Sequence, residues 1–274
     1  MNKFNFFAKK IGLLCLFFSW SMGAQEEIEI KYKHEQYQKY EYKNVLKAIN
    51  YAKQATSLAD KRGNDRLLAL SKYYLAEALF KGRKIDEAKK SIEECIFLAK
   101  KESDAKLLSL SYISLGRINS RQGNYTLSLK NLEKAEKIAK KHSFDEVLHT
   151  CINARAILYK RTQNYSKAIA LLRNTLKKYA HTKPNHTLTH TYRILGNLYA
   201  GYDPVHNLDS SAYFYKKGIE IIEQIDNDYV KTNIYLNYGD LLLQSKKYDK
   251  ALYYLNLAEK LASRTEADSR SYYV

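Results

Sequence analysis

The feature that most constrains this chain is a small residue that returns every 40 to 43 positions. It follows a short polar turn each time, and its positions are Ala48, Ala88, Ser128, Ala168, Ser211 and Ala251. A second small residue follows seven positions later, at Ala55, Cys95, Ala135, Thr175, Gly218 and Ala258. Sixfold recurrence of one spacing predicts an array of similar units instead of one globular core.

A third residue, large in every unit but the first, stands four positions after the first small residue. These residues are Ala52, Ile92, Leu132, Leu172, Tyr215 and Leu255. Steps of four and then three place all three residues on one face of an α-helix. Each unit is therefore expected to contain a helix with a small-large-small stripe that lets a neighbouring helix approach closely.

An earlier helix is expected in each unit, ending just before the turn. The expected ends are Lys81, Arg121, Arg161, Ala200 and Gln244. Only two prolines and ten glycines occur among the 274 residues, which favours helix along the whole chain. The repeating unit is therefore predicted to be a pair of antiparallel helices.

Several of these residues match the tetratricopeptide repeat (TPR) in spacing, and the chain resembles that family over roughly residues 30 to 265. The matching residues are Leu115-Gly116, Gly123-Asn124-Tyr125, Ser128, Leu132 and Ala135, then Leu195-Gly196, and then Tyr235, Gly239, Tyr248, Ala251 and Ala258. The period is about six residues longer than the common one, similar to the long-helix variant in bacterial regulators. The first unit lacks the Leu-Gly pair, Arg155-Ala156 replaces it in the fourth, and the fifth carries the insertion GYDPVHNLD.

The resemblance implies an all-α fold, a right-handed α-solenoid of about six antiparallel helix pairs across residues 25–265. Such units cannot bury their apolar faces alone, so they stack on one another. Residues 266–274 coincide with the start of a further helix. Two interpretations of that segment stay open: a short cap, or the first part of a repeat that continues in a longer protein.

The N-terminal segment has the layout of a secretory signal peptide. Three lysines precede the apolar run IGLLCLFFSWSMGA, after which the chain turns polar at QEEIEIK. About fourteen apolar residues fall short of the ~20 that a membrane-spanning helix needs. Residues 1–24 are therefore expected to be removed after Ala24, with cleavage after Gly23 as the alternative. The protein is expected to cross the inner membrane into the periplasm.

The chain is strongly basic. Residues 1–24 contain three lysines and no acidic residue, so the remaining chain carries a formal net charge of +14 instead of +17 at pH 7. An exported basic protein suits an anionic partner such as an acidic peptide, whereas the compartment disfavours nucleic acid. The alternative is a compositional bias that spreads lysines over solvated helix faces. No membrane span is expected in the mature chain.

The candidate binding residues come from the resemblance, which implies that the first helices line a concave groove. By position, Lys81, Arg121 and Arg161 occupy one place in three successive units and are expected to form a cationic row. The same face is expected to carry Tyr73, Arg117, Asn153, His190, Arg193 and Asn197. Guanidinium groups suit carboxylates or phosphates because each can hold two oxygens. Alternatively, cations collect at helix C-termini because of the helix dipole.

The histidines and cysteines predict neither a metal site nor a disulfide. His186 and His190 stand four apart on a helix, with His181 just before, but no cysteine or carboxylate nearby completes a ligand set. Solvent-exposed histidines in a connection between units are therefore expected. Cys95 and Cys151 fall in non-neighbouring units and are expected to be buried small residues instead of a bridge.

All 25 tyrosines lie outside residues 1–24. Most are expected in the core or at the seams between helices, as at Tyr125, Tyr165 and Tyr248, where second helices begin. Aromatic platforms for a sugar are the alternative use of these residues.

No segment has the pattern of catalytic equipment, such as a phosphate-binding loop or a nucleophile elbow. The chain is therefore not expected to be an enzyme, and no cofactor is expected. The favoured function is an exported scaffold that binds a protein or peptide in its groove, as the sensory or assembly part of a signalling system. The alternative is a small-molecule or glycan receptor with a tyrosine-lined groove. The sequence does not specify the oligomeric state.

Export predicts a mature protein with a simple optical signature. The only tryptophan, Trp20, lies within residues 1–24. Protein isolated from the cell envelope is expected to start near Gln25 and to show tyrosine emission without indole emission. N-terminal sequencing and intact mass measure this, and a mass that retains Met1 would contradict cleavage.

Overall fold

The computed structural model describes residues 25–201, 205–225 and 227–264. The expected signal peptide at 1–24 and the expected start of a further helix at 266–274 lie outside these residues. The described chain is helical and contains no strands, which confirms the predicted fold class. Its twelve helices follow one another in consecutive pairs.

Short connections join helices of similar length. Their bounds are α1 25–40, α2 Val45–Arg62, α3 Asp65–Lys81, α4 Ile85–Lys101, α5 Ala105–Arg121, α6 Tyr125–Lys141, α7 Asp145–Arg161, α8 Tyr165–Tyr179, α9 His186–Gly201, α10 Leu208–Ile222, α11 Asp228–Gln244 and α12 Tyr248–Arg264. Odd-numbered helices are the first helices of their pairs, and even-numbered helices are the second helices. Helices α3, α5, α7 and α11 end at the residues expected for them, while α9 extends one residue past Ala200.

The described residues form two compact units. Unit 1 contains 25–41 and 46–102, and unit 2 contains 42–45 and 103–264. Unit 1 therefore holds α1 to α4 apart from the first residue of α2, and unit 2 holds α5 to α12. Within the units, α3 packs on α4, α5 on α6, α7 on α8, α9 on α10 and α11 on α12. These are the antiparallel pairs that the repeat predicts.

The small-large-small stripe lies on the buried face of the second helices. Both small residues of the stripe are buried in all six second helices. The residue between them is buried from α2 to α10 and half-buried at Leu255 in α12. In unit 2, Ala139, Tyr179 and Ile222 occupy one later place in the repeat and are buried, whereas Ala262 is partly exposed. No described helix follows α12 to cover this last place.

The glycine of the Leu-Gly pair has a steric reason. At Gly116, an added Cβ would lie 2.9 Å from Cγ of Leu132. At Gly196, an added Cβ would lie 2.6 Å from the ring of Tyr215. Since real Cβ atoms essentially never come within 3.0 Å of such neighbours, glycine is required where the large residue of the stripe meets the first helix. The Leu-Gly pair and the stripe are the two sides of one contact.

Most connections share one backbone conformation, which recurs every twenty residues from Gly63 to Gln163. Positive φ values between 55° and 81° occur at Gly63, Arg83, Ser103, Gly123, Ser143 and Gln163, and again at Lys246. A left-handed residue just after a helix redirects the chain and satisfies the last carbonyl groups. The backbone conformation therefore recurs every 20 residues, which is half of the 40-residue period of the side-chain pattern.

Polar side chains join consecutive first helices. In unit 2, Nε2 of His149 on α7 lies 2.7 Å from Oγ1 of Thr191 on α9, and both residues are buried. The Thr191 hydroxyl donates to Oδ1 of Asn153 at 2.9 Å, and Nδ2 of Asn153 donates to the backbone carbonyl of Thr187 at 3.0 Å. Because the single hydrogen of the Thr191 hydroxyl is donated to Asn153, Nε2 of His149 must donate the hydrogen bond to the Thr191 oxygen. These bonds hold α9 in one register against α7.

A similar seam joins the first helices of unit 1. Nε2 of His34 on α1 lies 2.7 Å from Oγ of Ser71 on α3, whose hydroxyl donates to the carbonyl of Leu67. Burial lowers the pKa of both His34 and His149 from 6.5 to about 4, because an apolar surrounding disfavours the charged ring. Both seams therefore contain a neutral histidine at ordinary pH.

Overpacking the stripe tests its register. Ala135 is fully buried on α6, whereas Lys137 is exposed on the same helix. Replacing Ala135 by Leu is expected to lower the free energy of unfolding by ~1–3 kcal/mol, because the contact has no room for extra atoms. Replacing Lys137 by Glu is expected to change it by no more than about 0.5 kcal/mol. Urea denaturation measures both values, and equal effects would contradict the register.

The seam histidines predict acid sensitivity. The pKa of His149 is about 4 in the folded protein and near 6.5 in an unfolded chain, so the unfolded chain binds the proton more readily. The stabilisation is complete above about pH 6.5 and is lost as the pH falls towards 4. Through this residue, the free energy of unfolding of the wild type is expected to fall by on the order of 3 kcal/mol between pH 7 and pH 4. His149→Gln is expected to abolish this fall. Urea denaturation across this pH range measures the slope.

The control for this prediction is His181→Gln. His181 is exposed in the connection between α8 and α9, so this variant is expected to keep the wild-type slope. Parallel pH profiles for the wild type and His149→Gln would show that the seam histidine does not carry the acid sensitivity.

Candidate functional site

The first helices of unit 2 form a continuous layer. Helix α5 packs on α7, α7 on α9, and α9 on α11, in addition to the contacts within each pair. Most of the expected groove residues belong to this layer, whereas Lys81 and Tyr73 belong to α3 in unit 1. The candidate site is the part of the layer that α9 and α11 build, together with the charged residues next to it.

Three half-buried residues of α9 share one polar face. His190, Arg193 and Asn197 are spaced by three and then four positions, which places them on the same side of the helix. Thr187 and Thr191 carry the seam bonds to α7 and lie on the neighbouring face. The seam therefore sets the rotation of α9, and with it the direction in which the polar face points.

Carboxamide groups continue this face onto α11. Nδ2 of Asn237 donates to Oδ1 of Asn197 at 3.1 Å, and the Tyr215 hydroxyl donates to the same oxygen at 2.5 Å. One turn before Asn237, Nδ2 of the half-buried Asn233 donates to the carbonyl of Tyr229 at 2.8 Å. Oδ1 of Asn197 therefore accepts both bonds, and its Nδ2 is the donor end of the same amide.

His190, Arg193 and Asn197 of α9, together with Asn233 and Asn237 of α11, make up the polar stripe of unit 2. Sequence reasoning missed its two α11 members. Asn237 stands forty positions after Asn197, so the repeat spacing could have identified it.

His190 differs from the exposed histidine that the sequence predicts. It is half-buried within α9, and desolvation is the main cause that holds its pKa well below 6.5. The positive charges of Arg193 and Arg117 lower this pKa further, as does His149. His186, one turn earlier, is exposed as expected. The difference arises because one helical turn carries the chain from the exposed start of α9 into the layer of first helices.

Asn153 is a correction to the expected groove residues. Its side chain is 2% exposed, and both ends of its amide are bonded within the seam between α7 and α9. It therefore positions α9 and offers no accessible surface to a ligand. Its place in the repeat predicted a first-helix position but not that this face meets the next helix.

The residues of the expected cationic row differ in their surroundings. In unit 1, Lys81 forms an ion pair with Glu41, and the two side chains are only 13% and 20% exposed. In unit 2, Arg121 and Arg161 are the exposed last residues of α5 and α7. The charge of Lys81 is thus compensated, whereas the two arginines present theirs to solvent.

The two remaining expected residues are half-buried. Tyr73 on α3 lies beside Tyr74, with ring centroids 5.9 Å apart, and Arg117 lies on α5. Arg117 lies close enough to His190 for its positive charge to lower the pKa of that histidine.

The exposed tyrosines of unit 2 lie on second helices. Tyr125 and Tyr248 are 39% and 63% exposed, which corrects the expectation that they are seam residues. Tyr165 at the equivalent place is half-buried. Tyr213 and Tyr253 are also exposed, on α10 and α12. The exposed tyrosines of unit 2 therefore lie on second helices, and the first-turn position is exposed in α6 and α12 but not in α8.

Cys95 and Cys151 are buried, as expected, and each is a thiol instead of half of a disulfide. Burial raises the pKa of the Cys151 thiol to about 12, so this thiol is not ionised at ordinary pH. Within the described ranges, no group of three or more His, Cys, Asp or Glu residues could hold a metal ion. In the same part of the chain, no helix combines the length and the apolar character needed to cross a bilayer.

No protein-family model and no curated protein matches the chain. Solved structures are similar in fold. The Rap protein complexed with Competence and Sporulation Factor has a TM-score of 0.67 at 18% identity, covering 89% of this chain and 66% of that one. NprR in complex with its cognate peptide NprX has a TM-score of 0.66 at 10% identity, covering 97% and 77%.

A repeat protein of a different kind gives the same fold. The nearly identical TPR-like repeats of a putative kinesin light chain from Podosopora anserina have a TM-score of 0.52 at 15% identity. The similarity covers 75% of this chain and 99% of that one. Identities this low establish the fold alone. The chain therefore has a TPR-like fold of consecutive helix pairs, as its repeat spacing predicts.

Proposed function

We propose that this protein is a scaffold that binds a peptide, or an extended segment of a protein, on the first-helix layer of unit 2. The observation that carries the proposal is the polar stripe, which stays half-buried while the faces on either side of it are used for packing. Carboxamides both donate and accept hydrogen bonds, so they match the N–H and C=O groups of an extended backbone. A half-buried setting strengthens such bonds relative to water.

Similar folds support this proposal. Two of the solved structures with this fold, those of NprR and of the Rap protein, contain a peptide or a factor as partner. The similarity covers 89% of this chain for the Rap protein and 97% for NprR. The fold alone does not specify a ligand, so the support for peptide binding here comes from the polar stripe.

A small-molecule or glycan receptor is the competing function. It would need aromatic side chains on the layer of first helices, because sugar rings stack on exposed aromatic faces. The exposed tyrosines of unit 2 lie instead on second helices. On the first helices of unit 2 the described tyrosines are buried or half-buried, and the ring of Tyr199 is already stacked on Phe214. This placement favours the peptide over the sugar.

We further propose that the protein acts after export, as the sensory or assembly part of a signalling system. The support is the order of lysines, apolar residues and small residues within 1–24. A soluble periplasmic location would bring the polar stripe into contact with extracellular or envelope peptides, and the basic charge of the chain would favour acidic ones.

Peptide selection tests the site. Peptides selected on the wild-type protein from a random phage-displayed library are expected to bind less tightly to Asn233→Ala, by about tenfold, because one hydrogen bond in a shielded site is lost. Asn233 bonds only to the backbone of its own helix among the described residues, so its removal leaves the fold intact. Fluorescence anisotropy with the selected peptides measures the affinity.

The matched control is Lys137→Ala on α6, an exposed second-helix residue. It is expected to leave the affinity unchanged. Selected peptides that respond to Lys137→Ala and ignore Asn233→Ala would place binding on the second helices and contradict the proposal.

A further inference from the structure

We propose that His190 and Arg193 form a subsite for a carboxylate group of the bound peptide, and that the imidazole takes up a proton from solvent as this carboxylate binds. The subsite rests on the proposed function and gives the chemistry that one end of the polar stripe recognises. It gives the site a dependence on pH that its carboxamides do not have.

The geometry places the two groups together. His190 and Arg193 are one turn apart on the same face of α9, and both are half-buried. The bond between His149 and Thr191 and the bonds of Asn153 fix the rotation of this helix on one side. The carboxamide bond between α11 and α9 fixes it on the other side. The backbone positions of His190 and Arg193 are therefore fixed relative to the neighbouring first helices.

Desolvation is the main cause that lowers the pKa of His190, and the neighbouring cationic and titratable groups lower it further. Arg193 faces it from its own helix, Arg117 from α5 and His149 from α7, and each of them lowers the pKa of His190. No carboxylate of the described residues contributes to this pKa in the opposite direction. His149 is itself neutral within the seam. The ring of His190 is therefore uncharged at pH 7.

A carboxylate reverses this balance. The guanidinium of Arg193 can hold both carboxylate oxygens, and the negative charge raises the proton affinity of the neighbouring imidazole. The proton comes from solvent and binds the free ring nitrogen, the carboxylate stays ionised, and the protonated ring donates a hydrogen bond to it. Binding and proton uptake are then linked, so each strengthens the other.

A carboxylate fits better than a phosphate. One guanidinium and one imidazolium supply two positive charges, and the imidazolium forms only at the expense of desolvation and repulsion by Arg117 and Arg193. A single negative charge with two oxygens matches one guanidinium fork. The carboxylate of an acidic side chain and that of a peptide C-terminus share this chemistry.

The test uses the whole protein, N-acetylglycine as the carboxylate probe and N-acetylglycinamide as its neutral counterpart. N-acetylglycine stays ionised above about pH 5, as a peptide carboxyl does. It is expected to shift the ring signals of His190 in histidine-labelled protein, to raise the pKa of that ring, and to bind about tenfold more tightly at pH 5 than at pH 7. The His190 signals are assigned by their loss in His190→Gln.

Two variants separate the roles of the charges. Arg193→Gln is expected to weaken N-acetylglycine binding by at least about tenfold at both pH values. His190→Gln is expected to bind the probe with no change between pH 5 and pH 7. The control is Arg173→Gln, an exposed arginine on the second helix α8, which is expected to behave like the wild type. Circular dichroism verifies that each variant is folded. The titration of the wild type with N-acetylglycine tests the subsite even if a variant does not fold.

Several results would overturn the inference. These are equal binding of N-acetylglycinamide, a response to inorganic phosphate without one to N-acetylglycine, or carboxylate binding that leaves the pKa of His190 unchanged. Its failure is distinguishable from failure of the proposed function. Selected peptides that depend on Asn233 but leave His190 unaffected would remove the subsite alone. Carboxylate binding at His190 without any dependence of peptide binding on Asn233 would remove peptide recognition alone.

Discussion

Everything else in this structure depends on the close approach of the first and second helix within a pair. The large residue of the stripe on the second helix occupies the space that a Cβ on the facing glycine would need, as Leu255 does at Gly239 with 2.7 Å to the added atom. Dispersion attraction is strong only at short range, so many such contacts stabilise each pair. Gly218 shows that the small residues of the stripe also meet the next first helix, because a Cβ there would lie 2.5 Å from Cδ1 of Ile234.

Because these contacts repeat, the first helices of unit 2 lie side by side, and different faces of one helix contact different neighbouring helices. On α9, Gly196 packs on the second helix, Thr191 bonds to α7, and Asn197 bonds to α11. Between these faces, His190 and Arg193 stay partly open to solvent. The same packing that stabilises the layer therefore fixes the backbone positions from which these polar side chains extend.

The parts of this arrangement that repeat could be predicted from the sequence. Helix ends such as Lys81 and Arg161 followed from the turns, and the burial of Ala135 followed from its spacing. The roles of single polar residues could not be predicted in the same way. Asn153 and Arg193 occupy corresponding places on successive first helices, yet the first is bonded inside a seam and the second is half-buried in the polar stripe. The outcome depends on which side chain the next helix presents, and that side chain lies about forty residues away.

The sequence by itself determined the helix pairs, the stripe that joins them and the order of the units, because 3.6-residue periodicity and the need to bury small and large residues together act over short stretches of chain. Only the tertiary structure decided that His149 lies in a seam while His190 lies in the polar stripe, and that Asn237 supports Asn197. It also decided the charge state of His190, whose pKa responds to Arg117 on a different helix. Burial and electrostatic energy are sums over neighbours in space, and the repeat pattern does not specify which neighbours those are.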